Sequence, residues 1–337
     1  MKLKKILAAA VPAALAVLSG SAQEKVVVGY VTGWSDAIPD PQEVTHLNYA
    51  FGHVSSSFDS VEIDRPENLR RLTALKQNAP DLKVLLSIGG WTSGNFSEMA
   101  SDAVSRKSFA RACRSIADDF GLDGIDIDWE YPGNGSAGIS WSKRDPENFV
   151  LLMRDLREAL GSDRLLTLAS GSELQGLNFR DFLPYVDFVN VMTYDMNRVP
   201  LHHSPLHRSQ ALLGDKGRSV DESVKMHLDA GVPKEKLVVG LPLYGRGRDP
   251  YTDFVDYRFL ELKPGCEERW DDQACAPYII GPDGTLVLGF DNPRSIGLKC
   301  DYILDNGLRG AMYWDYSLDG PEGPLRKIIA RKFDLIK

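Results

Sequence analysis

The chain has 337 residues, 43% of them hydrophobic and 26% charged, with 47 acidic against 39 basic residues and a net charge of −8. This is ordinary globular composition, with length enough for one large α/β domain. The acidic balance argues against nucleic acid and anionic membrane surfaces as partners and leaves a neutral substrate as the easier one.

Lys2, Lys4 and Lys5 precede an apolar run from Ile6 to Leu18, and Gly20-Ser21-Ala22 supplies small residues for a peptidase. Residues 1–22 are therefore expected to be a secretory signal peptide, which would place the mature protein in a periplasm or outside the cell. The run is short for a membrane span. Its removal would take three lysines and no acid, making the net charge three units more negative.

Strands then alternate with helices. Lys25–Val31 and Thr45–Phe51 read as strands, Pro66–Gln77 as a helix, and Lys83–Ile88 as a strand ending in Gly89-Gly90-Trp91. The spacing predicts a helix over Arg106–Phe120, the strand Leu122–Tyr131, a helix over Pro146–Leu160 and a strand over Leu165–Ala169. A short segment, Phe179–Leu183, precedes the strand Val186–Tyr194. Next come a helix over Asp221–Ala230, a strand over Leu237–Leu241, a helix over Pro293–Leu304, the strand Gly310–Trp314 and a closing helix over Pro321–Phe333. About eight short apolar strands, each followed by polar or aromatic residues, predict a closed (β/α)8 TIM barrel over 23–337. No Gly-x-Gly-x-x-Gly turn follows the first strand, so a dinucleotide site is not expected. Residues 248–291 break the alternation and read as a small insertion after the seventh strand, with Pro282-Asp283-Gly284 as a hairpin turn.

The most informative stretch is Asp123-Gly-Ile-Asp-Ile-Asp-Trp-Glu-Tyr131. On a strand, Asp126, Asp128 and Glu130 share one face, while Ile125, Ile127 and Trp129 share the other, where Trp129 is expected to be core. Three stacked carboxylates cannot all ionise at neutral pH, so at least one should keep its proton, which is what a general acid needs. In a barrel the chemistry sits at the carboxyl ends of the strands, and Glu130 lies at that end with Asp128 and Asp126 successively deeper. Asp123 is out of phase with the triplet, and structural and functional roles are equally open to it. Cys266 and Cys275 are close in sequence in a chain expected to be exported, and a bridge between them is expected. Cys113 and Cys300 fall on helices that are not neighbours and are expected to stay free. His202 and His203 have no accompanying ligands at metal spacing, so neither a metal nor a cofactor is expected.

With these motifs the chain resembles glycoside hydrolase family 18 chitinases. Asp123-Gly-Ile-Asp126-Ile-Asp128-Trp-Glu130 fits the D-x-x-D-x-D-x-E signature, and Ser87-Ile-Gly-Gly90, Met192-Thr-Tyr194-Asp195 and Trp314 fall at the ends of further strands. The resemblance implies cleavage of β-1,4-linked N-acetylglucosamine chains with retention, the substrate's own acetamido oxygen attacking the anomeric carbon. It implies Glu130 as acid and then base, Asp128 holding the acetamido N–H, Asp126 sharing a proton with Asp128, and Tyr194 donating to the acetamido carbonyl. Asp195 and Met192 would line the same pocket, Trp314 would floor it, and Trp91, Tyr244, Tyr131 and Trp34 would bind sugar nearby. The expected partners are N-acetylglucosamine oligomers or polymers, met by a monomer. Two other readings stay open: an endo-β-N-acetylglucosaminidase acting on N-glycan cores, and a non-catalytic chitin-binding lectin. The insertion is short beside the fuller one of larger family members, which lowers the expected wall of the cleft.

Overall fold

The computed structural model describes residues 24–337, and the leader expected over 1–22 lies outside the described residues. Eight parallel strands form the centre: β1 (Val26–Thr32), β2 (His46–Val54), β3 (Lys83–Gly89), β4 (Gly124–Asp128), β5 (Leu165–Gly171), β6 (Phe188–Met192), β7 (Leu237–Pro242) and β8 (Gly310–Trp314). Each pairs with the next, and β1 pairs with both β2 and β8, which closes the (β/α)8 barrel. The strands read as near-continuous apolar runs because both faces are covered. Inward residues such as Val28, Tyr30, Phe188, Val238 and Met312 pack on one another. Outward residues such as Leu47, Val84, Leu86, Ile125 and Ile127 pack under the surrounding helices.

The helices follow the apolar spacing, with ends set by caps. Ala103–Phe120 starts three residues before the predicted point because Asp102 accepts hydrogen bonds from the Val104 and Ser105 amides, and it stops at Gly121 with φ 67°. The closing helix starts at Pro324 instead of Pro321, after Gly323 in the left-handed region. The helix Phe96–Ser101 and the strand Val61–Ile63, antiparallel to the end of β2, are too short to show a period and are not predicted.

After β7 the chain leaves the barrel for a five-stranded antiparallel sheet in the order Phe254–Asp256, Tyr244–Gly247, Leu286–Gly289, Ala276–Ile280, Glu267–Asp271. This sheet corrects the cysteine expectation. Glu267 pairs with Ile280 and Asp271 with Ala276, so Cys266 lies beyond one end of that hairpin and Cys275 in the turn at the other. At ~3.3 Å per residue the separation is roughly 20 Å, against a limit of about 7 Å between Cα atoms for a disulfide. All four cysteines are free, Cys113 and Cys300 in the core.

One buried ion pair ties the sheet to the barrel. Lys299, on the helix Pro293–Asp305, donates to Asp291 at 2.6 Å and to the carbonyl and hydroxyl of Ser204 at 2.6 and 2.9 Å, with both charged side chains fully buried. His202 joins the same region: its Nε2 lies 3.0 Å from the carbonyls of Pro277 and Phe290, and its Nδ1 accepts from the Ser204 amide. Burial pushes the imidazole down to about 3, so it works as a neutral bridge.

Candidate active site

The carboxylate triplet leaves the barrel axis upward. Asp126 is wholly buried and accepts from Tyr30 (2.7 Å), Ser87 (2.8 Å), Thr167 and Asn190 (3.3 Å), one donor each from β1, β3, β5 and β6. Burial holds its carboxyl above the usual range even against these four donors. Asp128 is the last residue of β4 and 3% exposed, and its Oδ1 has no partner. Burial, then the charges of Glu130 and Asp126, push it well above the ordinary value. Glu130 lies two residues past the strand, half-buried in the cleft. Burial raises it to about 7, with the Tyr131 hydroxyl pulling it back and Asp195 adding to the rise.

The Ser87-Ile-Gly-Gly90 motif has a steric cause. Gly89 has φ +130°, and a Cβ there would stand 1.9 Å from the Asp128 carbonyl oxygen, while the Gly90 amide donates to that oxygen at 2.8 Å. Only glycine lets the end of β3 come this close to the carboxylate strand.

A cleft of about 660 Å³ opens over the barrel's carboxyl end, lined by Asp128, Glu130, Tyr131, Met192, Tyr194, Asp195, Tyr244, Trp34, Trp91 and Trp314. Asp126 is beneath it. Trp314 stacks on Phe51 with centroids 5.6 Å apart. Trp34 and Trp91 are 58% and 55% exposed, which leaves their faces open. Tyr244 lines the cleft but is 2% exposed, with Phe254 stacked on it at 4.3 Å and His203 also against it. It offers the cleft an edge, because its faces are already used in joining sheet to barrel.

Asp195 is gripped by Arg246 through both oxygens, at 2.6 and 2.5 Å, and His203 Nδ1 lies 3.5 Å away. Burial would raise this carboxyl, but the Arg246 and His203 contacts win and hold it well below the usual range. Arg246, Phe51 and Tyr30 are cleft residues that the sequence reading misses. Arg246 lies in a stretch without periodic signal. Tyr30 and Phe51 read as ordinary strand hydrophobes; alternation with Val28 marks Tyr30 as inward, whereas Phe51 follows the inward Ala50 out of phase and reaches the cleft through the irregularity in register between Ala50 and Gly52. Among the residues outside the cleft, Asp123 takes the structural role: it holds Lys76 at 2.6 Å and the Val84 amide at 2.9 Å at the start of β4. Trp129 is 1% exposed and stacks on Phe96 at 5.2 Å in the outer core.

A (β/α)8 barrel with buried, proton-holding carboxylates at the carboxyl end of β4, beneath a floor and rim of tryptophan, has the site of a barrel glycoside hydrolase. Residues 26–319 match the family model for glycosyl hydrolases family 18, and the chain belongs to that family. It is 30% identical to Chitinase A1 of Niallia circulans over 393 residues, covering 87% of this chain and 56% of that protein. Among solved structures, a family 18 N-acetylglucosaminidase from Paenibacillus barengoltzii superposes with a TM-score of 0.82 at 34% identity, covering 92% of this chain and all of that one. The Group IV chitinase of Ostrinia furnacalis in complex with allosamidin gives 0.82 at 29% identity, covering 91% of this chain and 98% of that one.

Proposed function

We propose that the protein is an exported, monomeric chitinase that cleaves β-1,4-linked N-acetylglucosamine chains with retention, using the substrate's acetamido oxygen as nucleophile. The observation that carries this is the state of the carboxylates. Glu130, raised to about 7, keeps a proton for the leaving oxygen at mildly acidic and neutral pH and serves as base once it is lost. Asp128, pushed well above its ordinary value by burial, with its Oδ1 unpartnered, suits a hydrogen-bonding group for an acetamido N–H better than an anionic nucleophile. Asp195 is ionised, but both of its oxygens are taken by Arg246. Among Asp126, Asp128, Glu130 and Asp195 none is a free anion beside the attacked carbon, which supports a nucleophile supplied by the substrate.

In this reading Trp314 stacks under the sugar that bears the attacked carbon, and Tyr194, directed at the Met312 sulfur at 3.8 Å, turns its hydroxyl to the acetamido carbonyl. Met192 and Asp195 close that pocket, Asp126 acts on Asp128 from below, and Tyr131, Trp91 and Trp34 meet neighbouring sugars. Export rests on Lys2, Lys4, Lys5 and the apolar run after them. The likeness to an N-acetylglucosaminidase supports a second reading, release of single N-acetylglucosamine units. Incubation with defined N-acetylglucosamine oligomers, with products followed by early-time NMR, tests both. The expected product is the β-anomer, cellulose oligomers of equal length stay intact, and product length separates chain cleavage from monosaccharide release. An α-anomer at early times means direct displacement by water and overturns the substrate-assisted reading.

A further inference from the structure

The loop after β4 carries an aromatic surface that the proposed catalytic set does not use. This loop is pinned from below. Asp145, wholly buried, accepts from the amides of Gly133 (3.2 Å) and Ser142 (2.7 Å) and from the Ser97 hydroxyl (2.7 Å). Ser140 donates to Glu98 at 2.8 Å, and Ala137 and Ile139 are buried. Trp141, in contrast, is 52% exposed. Its indole edge rests on Gly135, where a Cβ would come within 2.5 Å of Trp141 Cδ1, so any larger residue there would displace the ring.

The ring borders a recess of about 850 Å³ whose other wall holds Glu173, Gln175 and Arg218. Recess and catalytic cleft share Asn134, Ser136, Glu173 and Gln175, which makes them one groove. A third hollow, lined by Trp34, Phe254 and Trp314, also joins the cleft but shares no residue with the recess. The recess therefore opens on the side of the cleft away from Trp314. With Trp314 under the attacked sugar, that is the side of the departing chain.

The chemistry of the recess suits a neutral, hydroxyl-rich ring. Glu173 and Arg218 pair at 2.7 Å and cancel each other's charge, and the Asn134 and Gln175 amides lie 3.4 Å apart beside them. An anionic ligand would meet the Glu173 carboxylate, and a purely apolar one would strip water from these paired groups without giving them a hydrogen bond in return. We propose that this recess is a saccharide subsite for the departing part of the chain, a pyranose stacking on Trp141 with its hydroxyls bonded by Asn134, Gln175 and the Arg218–Glu173 pair. The subsite rests on the chitinase reading and deepens it.

Rates on N-acetylchitohexaose and on a chitobioside with a single aryl leaving group test it, since the aryl ring reaches only the position beside Glu130. For Trp141→Ala and Gly135→Ala, kcat/KM on the hexaose is expected to fall about tenfold, in line with the loss of one stacking platform. Trp141→Phe should stay near wild type, and the aryl chitobioside should be cleaved at the wild-type rate by all three. An unchanged hexaose rate in Trp141→Ala, or equal losses on both substrates, overturns the subsite. A loss confined to a glycoprotein substrate assigns the recess to a protein aglycone and overturns it too. If the wild type cleaves neither small substrate, the chitinase reading itself fails and the subsite falls with it.

Discussion

At the scale of single residues, the decisive quantity is the proton on Glu130. Glu130→Gln keeps shape and hydrogen bonding but removes the transferable proton, so turnover should fall by about 10²–10⁴-fold with oligosaccharide binding retained. The same substitution should change stability with a definite sign. The folded-state value of about 7 lies above the ordinary 4.5, so the native protein holds a proton that the unfolded chain has lost, and stability drops as pH rises between those values. Glu130→Gln should therefore match wild type in thermal midpoint near pH 4 and exceed it at pH 8, by at most about 3 kcal/mol. Equal midpoints at both pH values would mean that Glu130 titrates normally. Burial keeps Asp128 protonated while Glu130 titrates, so Asp128→Asn removes no charge beside Glu130. Turnover should fall while the alkaline limb of the rate profile stays near that of wild type, and a shift to lower pH would mean that Asp128 is ionised. Such a profile is measured on an unactivated oligomer, where protonation of the leaving group matters most.

At the scale of elements, legibility followed period and run length. The alternation in Asp126, Asp128 and Glu130 and the apolar runs of the strands are strong signals, and they placed the eight strands and the carboxylate face. Of the residues named from motifs, Asp128, Glu130, Met192, Tyr194, Asp195 and Trp314 line one cleft and Asp126 lies under it, which gives their position and leaves their roles to the substitutions. Arg246 was not legible because its partner Asp195 is far off in sequence, and Cys266 with Cys275 misled because nearness in sequence says nothing of hairpin register. Tyr244 shows a different limit: an aromatic after a strand end looks alike in sequence whether its faces are free or, as here, covered. The Lys299–Asp291 pair was equally invisible, and it carries a prediction. Lys299→Met leaves the Asp291 carboxylate buried with the Ser295 hydroxyl, which donates to it at 2.7 Å, as its remaining side-chain partner, so stability should fall by about 3–5 kcal/mol in denaturant titration. Lys299→Met with Asp291→Leu should recover most of the loss, and failure to do so would assign the cost to packing.

At the scale of the whole molecule, the described part of the chain holds together without covalent cross-links. The hairpin register separates Cys266 from Cys275, and Cys113 and Cys300 are held in the core. Four thiols should react per chain after denaturation without reductant, and added reductant should leave the thermal midpoint unchanged. A midpoint that drops with reductant would mean that the hairpin pairs differently.

The Arg246 grip on Asp195 reaches from the inserted sheet to the loop after β6, and Asp195 in turn raises Glu130. The titration of Glu130 is thus set partly by a layer outside the barrel. Grafting this sheet onto another family member would transplant an electrostatic setting along with a wall, and two enzymes with identical barrel strands need not share an optimum.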